Sequence, residues 1–379
     1  MIYLDYAATA PLRPAVSQAI AELCQQTLGN PSSLHRAGRQ ARFHLEQARE
    51  RLANALAAKV EEIVFCSGAT EADNLALLGP LAHPDATHLA LITSPLEHAA
   101  VYETARQLGR RGVPVTMLEV DTQGQVVLES LELALKQAVG RPLVSLMASN
   151  NEVGSRQPLR QASALCREHG ALLHVDAVQD ARRAPELIAE GLVDLLTLSG
   201  HKLGGLPGGL LYVRQGVPLA PQIVGGAQED GRRAGTSEVM RAVSLAVALE
   251  AALQDKDPRP ARDLLEGRLQ NLPGATRLGP KAPEQRADHI SSWLFGQLPA
   301  EPILAQLDMA GVCASSGSAC SSHAIEPSRV VQAMGMGERA MGLVRFSLGW
   351  KTSEQEVRKA AEVVEQTITK MVQKEEVKE

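Results

Sequence analysis

The chain has 379 residues, with 38 basic against 43 acidic side chains and a formal net charge of −5. Hydrophobic residues make up 45% and charged residues 21%, a globular balance that excludes a disordered or collagen-like chain. Mild acidity gives no electrostatic footprint for nucleic acid, and the longest apolar stretches, such as Ala242 to Leu249, fall far short of a membrane span. At roughly 150 residues per unit the length predicts two or three units. The start, Met1-Ile2-Tyr3-Leu4-Asp5, lacks the basic opening and apolar run of a signal peptide. The cysteines, Cys24, Cys66, Cys166, Cys313 and Cys320, are odd in number and form no CxxC pair. They argue against a disulfide framework and a structural zinc site, and for a reducing, cytoplasmic setting.

In chain order, Arg39 to Ala58 has the spacing of a long amphipathic helix. Ile63 to Ser67 is a short apolar run, and a helix opens near Ala69. Leu89 to Thr93 is strand-like and is followed by a helix from about His98 to Arg110. Val113 to Leu118, Leu143 to Ala148, Leu172 to Asp176 and Leu195 to Ser199 repeat the theme. Strands apolar on both faces and joined through helices predict an α/β fold with a mostly parallel sheet covered on both sides. Leu210 to Val213 follows after only a Gly/Pro loop and suits an antiparallel pairing. Asp255 to Arg262 is charged and contains prolines, as a linker or hinge would. Strands near Ile290 to Leu294 and Leu343 to Ser347, with a final helix ending in the charged tail Lys374 to Glu379, predict a second, smaller α+β domain.

Ligands of open parallel sheets sit beyond the carboxyl ends of the strands, so the residues after each strand carry the chemistry. Ser67-Gly68-Ala69-Thr70-Glu71 reads either as a phosphate-binding helix N-terminus or as an ordinary capped turn. No Walker motif and no strand–GxGxxG–helix unit accompanies it. His98 opens a helix, and Ser149-Asn150-Asn151-Glu152 is a polar cluster after an apolar strand. Asp176, followed by Gln179, is either a helix cap or a buried acceptor for a cationic ring nitrogen. Lys202 lies directly after an apolar strand and is hemmed by glycines. Desolvation there would lower its pKa, and a neutral amine can form a Schiff base. A lysine, an acid and a phosphate-binding turn are together what pyridoxal phosphate needs.

Nine motifs, in order along almost the whole chain, resemble the cysteine desulfurases, NifS-like members of the class V aminotransferase group on the fold type I architecture. They are Leu4-Asp5-Tyr6-Ala7-Ala8-Thr9, Gly29-Asn30-Pro31-Ser32-Ser33, Ser67 to Glu71, Asn150-Asn151-Glu152-Val153-Gly154 and His174-Val175-Asp176-Ala177-Val178-Gln179. Ser199-Gly200-His201-Lys202, Arg233-Ala234-Gly235-Thr236, Ser316-Gly317-Ser318-Ala319-Cys320-Ser321-Ser322 and Val344-Arg345-Phe346-Ser347 complete the set. The loop Leu203 to Gly209 lacks a lysine that the family often has there, and Gly225 to Gly231 lacks a histidine found in some relatives.

The resemblance implies pyridoxal 5'-phosphate bound at Lys202, Asp176 on its ring nitrogen, Gln179 on its phenolic oxygen and His98 stacked on the ring and assisting proton transfer. Ala69, Thr70, Ser199 and His201 would hold the phosphate, with Thr236 reaching the phosphate of a neighbouring subunit in a homodimer. Asn151 would contact cofactor and substrate, and Arg345 the substrate carboxylate. Cys320, in a run of small residues that cannot anchor in a core, would take sulfur from L-cysteine as a persulfide, leaving alanine. An iron–sulfur scaffold or a tRNA-thiolation protein would accept it. The other four cysteines are expected to pack. The expected organisation is a cofactor domain over residues 14–255 and a small domain built from 1–13 and 256–379. The alternatives are a selenocysteine lyase or another class V enzyme, which would not depend on Cys320, and a non-catalytic assembly protein on the same fold.

Overall fold

The computed structural model describes residues 1–83, 90–317 and 327–376, without the side chains of 375 and 376. A short strand, β1 (Ile2–Tyr3), precedes helices Pro14–Cys24 and Arg36–Leu56. Seven strands follow: β2 (Ile63–Cys66), β3 (Leu91–Thr93), β4 (Val115–Met117), β5 (Leu143–Met147), β6 (Leu172–Asp176), β7 (Leu195–Ser199) and β8 (Gly209–Val213). They form one sheet in the order β2-β8-β7-β6-β5-β3-β4. Only β8 runs against its neighbours, pairing antiparallel with β2 and β7, while the remaining pairs are parallel. Every residue of β5, β6, β7 and β8 is buried, because helices cover both faces. Helix Arg36–Leu56 buries Ala41, Leu45, Ala48, Leu52 and Leu56 in one such layer, the i, i+3, i+4 spacing of an amphipathic helix.

Beyond helices Val239–Leu253 and Arg259–Leu269 lie β9 (Ala275–Arg277), β10 (Ile290–Phe295), β11 (Val312–Cys313) and β12 (Val344–Ser347). A second, antiparallel sheet has the order β12-β10-β9, and β11 pairs in parallel with β1. Ile2 and Leu4 pack in one apolar cluster with Leu265, Trp293, Phe295, Ile303, Phe346 and Val364. The α/β class, the antiparallel β7–β8 pair and the smaller α+β portion are all as the sequence predicts.

Three expectations change. Helix Arg259–Leu269 takes up half of the expected linker, with proline in its first turn, where no N–H is needed. Its Arg262 is 1% exposed and donates to Ala287 O at 2.8 Å, so the non-helical connection is confined to 254–258. Helix Glu354–Glu376 absorbs the start of the expected charged tail. Cys24 is exposed, whereas Cys66 and Cys166 are buried and Cys313 is half-buried. Cys24 lies one helical step beyond buried Leu23, which turns it away from the apolar stripe.

A buried ion pair pins the edge strand that leads into the candidate site. Arg49 donates from both terminal nitrogens to Glu229, at 2.7 and 2.9 Å, and from Nη1 to Ile63 O at 2.9 Å. Glu229 Oε2 also accepts from Phe65 N at 3.0 Å. The side chains are 10% and 3% exposed, so removing one partner strands the other's charge. Arg49→Met is expected to cost about 3 kcal/mol of stability, read from the urea midpoint; an unchanged midpoint would show that the pair holds nothing.

Candidate active site

The carboxyl ends of β6 and β7 and the turn after β3 bring Asp176, Lys202 and His98 to one edge of the sheet. Asp176 closes β6, is 5% exposed, and accepts from Val178 N at 3.0 Å. Burial pushes its carboxyl above the usual range, and His98, that N–H and Lys202 oppose the rise. Lys202 ends the one-turn helix Gly200–Lys202 directly after β7. Its Nζ donates to Ala7 O at 2.8 Å and Ala8 O at 2.6 Å. Gln179 Nε2 also donates to Ala7 O, at 2.9 Å, and Gln179 Oε1 lies 3.2 Å from His289 Nε2. Burial lowers the His289 pKa to about 4, so its ring is neutral near pH 7 and its Nε2–H donates a hydrogen bond to Gln179 Oε1. Lys202 and Gln179 thus converge on the carbonyls of Ala7 and Ala8 in the N-terminal segment, with His289 bonded to Gln179 behind them.

His98 caps helix Ala99–Arg110, its Nδ1 accepting from Ala100 N at 3.1 Å. In its neutral form the ring therefore carries its proton on Nε2. The preceding residue sets its position: Glu97 Oε1 accepts from Ser94 Oγ and from Met147 N, both at 3.0 Å. Glu97 Oε2 is buried with no partner among the described residues. Burial pushes the Glu97 pKa up to about 8, so it is a neutral acid tying the His98 turn to β5. Beneath Asp176, His174 contacts Ser145 Oγ at 2.8 Å and Thr197 Oγ1 at 3.1 Å. Burial lowers the His174 pKa to about 3 and raises that of nearby Asp73.

At the end of β2, Ser67 and Gly68 lead into helix Ala69–Ala82, with Ala69 half-buried and Thr70 exposed in its first turn. Ser67 N donates to Glu71 Oε2 at 2.8 Å, and Arg233 Nε to Glu71 Oε1 at 2.7 Å. Arg233 thereby docks the Arg233–Thr236 segment on that turn, with Thr236 itself exposed. Gly209 lies so close that a Cβ there would collide with the Gly68 carbonyl group. Ser199 Oγ is 3.0 Å from His201 Nδ1, and burial, Lys202 and His98 lower the His201 pKa to about 4.

Arg345, on β12, is 1% exposed. Its Nη2 donates to Asp5 Oδ1 at 2.8 Å, and its Nη1 to Asn151 O at 2.8 Å and Gly317 O at 3.4 Å. Its Nε is buried without a partner among the described residues. Arg345 and half-buried Asn151 are thus adjacent, joined through the Asn151 main chain. The expected nucleophile, Cys320, lies outside the described residues. Asp5, Glu97 and His289 had no assigned role. Glu97 stands beside a singled-out histidine, but nothing in local spacing joins Asp5 to Arg345.

The residues fit pyridoxal 5'-phosphate. A buried acid whose carboxyl is pushed up by burial suits a ring cation, an amine adjoins it, and a helix N-terminus with a glycine-lined turn suits a phosphate. Among the described residues no helix is long and apolar enough to cross a membrane.

The model of the class-V aminotransferases matches residues 2–359. "Cysteine desulfurase IscS" of Dictyoglomus turgidum is 38% identical, over 98% of this chain and 95% of that protein. "Cysteine desulfurase 2" of Trichormus variabilis is 41% identical, over 96% of this chain and 92% of its own length. A solved NifS-like protein superposes with a TM-score of 0.88 at 33% identity, covering 97% of this chain and 99% of that one. A structure described as SspA in complex with cysteine gives 0.80 at 30% identity, covering 93% and 100%. The chain belongs to the class-V aminotransferase family and, within it, to the NifS-like cysteine desulfurases.

Glu97 yields a pH signature. Its pKa is about 8 when folded and near 4.5 when unfolded, so the native state holds one more proton between those values. Its contribution therefore weakens as pH rises from about 4.5 to 8. Glu97→Gln should gain stability relative to wild type across that window in urea titrations; a constant difference would mean that Glu97 is ionised throughout.

Proposed function

We propose that the chain removes sulfur from L-cysteine, with pyridoxal 5'-phosphate held at Lys202, and delivers it as a persulfide on Cys320. The observation that carries this is the meeting of Lys202, buried Asp176 and His98 at one sheet edge in a chain of the desulfurase family. When bound, the cofactor supplies an electron sink that makes the substrate's Cα proton removable. Asp176 would face its ring nitrogen, Gln179 its phenolic oxygen and His98 its ring. Asn151 would lie beside it, and Ala69, Thr70, Ser199 and His201 would hold its phosphate.

The chain's own groups do the rest. Lys202 Nζ takes and returns protons at the substrate. Arg345 binds the substrate carboxylate, with Nε as the donor still available and Asp5 as the carboxylate to be displaced. The Cys320 thiolate attacks the substrate sulfur. A sulfur–sulfur bond forms, the sulfur–Cβ bond breaks, and the electron pair left on carbon is protonated to give alanine. An iron–sulfur scaffold or a tRNA-thiolation protein is the proposed acceptor, in the cytoplasm.

The working unit is proposed to be a homodimer, with Thr236 reaching the neighbouring subunit's phosphate site. Residues 14–255 would form the cofactor domain, and 1–13 with 256–379 the small domain, consistent with Ile2 and Leu4 packing in the C-terminal cluster.

The purified protein is expected to be yellow. Lys202→Ala should lose that absorbance, whereas Cys320→Ala should keep it and make no alanine from cysteine. A colourless wild type after reconstitution, or full turnover by Cys320→Ala, would overturn the assignment. Thr236→Ala should release cofactor faster on dialysis; unchanged retention in a strictly monomeric protein would contradict the shared site.

A further inference from the structure

Gln179 is held at both ends of its amide, by groups from opposite ends of the chain. Its Nε2 donates to Ala7 O at 2.9 Å, and the same oxygen accepts from Lys202 Nζ at 2.8 Å. A carbonyl oxygen has no proton to give, so the end of the amide that shares Ala7 O with Lys202 is the NH2 end. The other end, Oε1, lies 3.2 Å from His289 Nε2. His289, its pKa lowered to about 4 chiefly by burial, is neutral near pH 7, and its proton sits on Nε2 because Oε1 can only accept. The last torsion of a glutamine is broad and nearly two-fold, so the bonds at the two ends, rather than the torsion, select one orientation.

The two clamps arrive as one unit. His289 immediately precedes β10, and its carbonyl accepts from Leu348 N, just past β12, at 2.9 Å. The next residue, Ile290, pairs with Ser347 across the β10–β12 ladder. Ser347 Oγ accepts from Ala7 N at 2.9 Å and Ser347 O from Tyr6 N at 3.3 Å, while Ser347 N donates to Leu4 O at 2.7 Å. The end of β12 therefore registers His289 on one side and Ala7 on the other. Four charged groups act on the His289 ring: Asp180 and Asp288 raise its pKa, and Arg156 and Arg345 lower it. Arg156 bonds both acids, Asp180 Oδ2 at 2.9 Å and Asp288 Oδ2 at 3.0 Å, which offsets their pull on a second proton.

We infer that His289 is a positioning residue: by bonding Gln179 Oε1 it keeps the NH2 end of that amide turned to the point where Lys202 stands. The inference rests on the proposed function, in which Gln179 faces the cofactor's phenolic oxygen. One amide hydrogen is used on Ala7 O, and the second is the donor left for that oxygen. An ionised phenolic oxygen accepts and does not donate, so an amide turned end for end would set two acceptors against each other. His289 acts on the cofactor only through Gln179.

The test uses the cofactor-loaded protein and follows the pH midpoint of its visible band. A donor on the phenolic oxygen favours the deprotonated form, in which that oxygen carries the larger charge, and so lowers the midpoint. Gln179→Leu should raise the midpoint by about half a pH unit or more, the scale of one neutral hydrogen bond. His289→Leu and His289→Phe, which remove the donor with side chains of different shape, should raise it by most of that amount. His289→Gln, which can still donate from its own Nε2, should return it towards wild type. Adding His289→Leu to Gln179→Leu should move the midpoint no further than Gln179→Leu alone, because both remove one contact. A lowered urea midpoint with an unmoved absorbance midpoint in both donor-free His289 variants would make His289 purely structural and overturn the inference, as would shifts that add in the double variant. If Gln179→Leu itself left the midpoint unmoved, the placing of Gln179 on the phenolic oxygen would fail, and the inference with it. A wild type that stayed colourless after reconstitution would instead overturn the proposed function itself.

Discussion

A carboxylate buried at the carboxyl end of a central strand has to be paid for with positive charge, and Asp176 is that carboxylate. Water cannot solvate it, one backbone N–H bonds it, and His98 and Lys202 oppose the rise that burial imposes. Isolated buried charge is costly enough that the acid would otherwise stay protonated. The rest of the site is arranged around that need. The turn after β3 presents His98, the turn after β7 presents Lys202, and the N-terminal segment crosses the chain to give Lys202 two carbonyl acceptors.

The surroundings of Asp176 are built to leave it the reactive acid. Glu97 and Asp73 are each driven towards the neutral form by burial, and His174 and His289 are kept neutral by the same cause. Uncharged groups are cheaper to pack under the sheet than charged ones. Through Oε1, Glu97 bonds Ser94 and Met147 and holds the His98 turn against β5. With those neighbours neutral, Asp176 is the acid that would face the ring cation of the proposed cofactor. The second portion of the molecule supplies Arg345, and its contacts with Asp5, Asn151 and Gly317 bring that element to the same place.

The repeated apolar runs show the strands because a fully buried parallel sheet demands them. Leu172–Asp176 and Leu195–Ser199 are read to the residue, and the Gly/Pro loop before β8 signals the reversal. Boundaries move where capping and turn geometry decide them: a helix with Pro260 in its first turn starts at Arg259 inside an apparent linker, and Cys24 faces solvent by a single helical step. Asp176, Lys202 and His98 are legible because each is a polar residue just past an apolar strand. Asp5 and His289 are not, since their partners lie hundreds of residues away or on another element.

By itself the sequence determined the alternation of strands and helices, the polar residues at the strand ends and the order of motifs that marks the family. These follow from local rules, since burial periodicity and turn chemistry act over a few residues. Tertiary structure alone decided that Asp5 meets Arg345 across 340 positions, that Ala7 and Ala8 turn their carbonyls to Lys202, and that Ala7 and His289 hold the two ends of the Gln179 amide. Those contacts depend on how two sheets and a returning N-terminus are packed together, and no local pattern encodes a distance between segments remote in the chain.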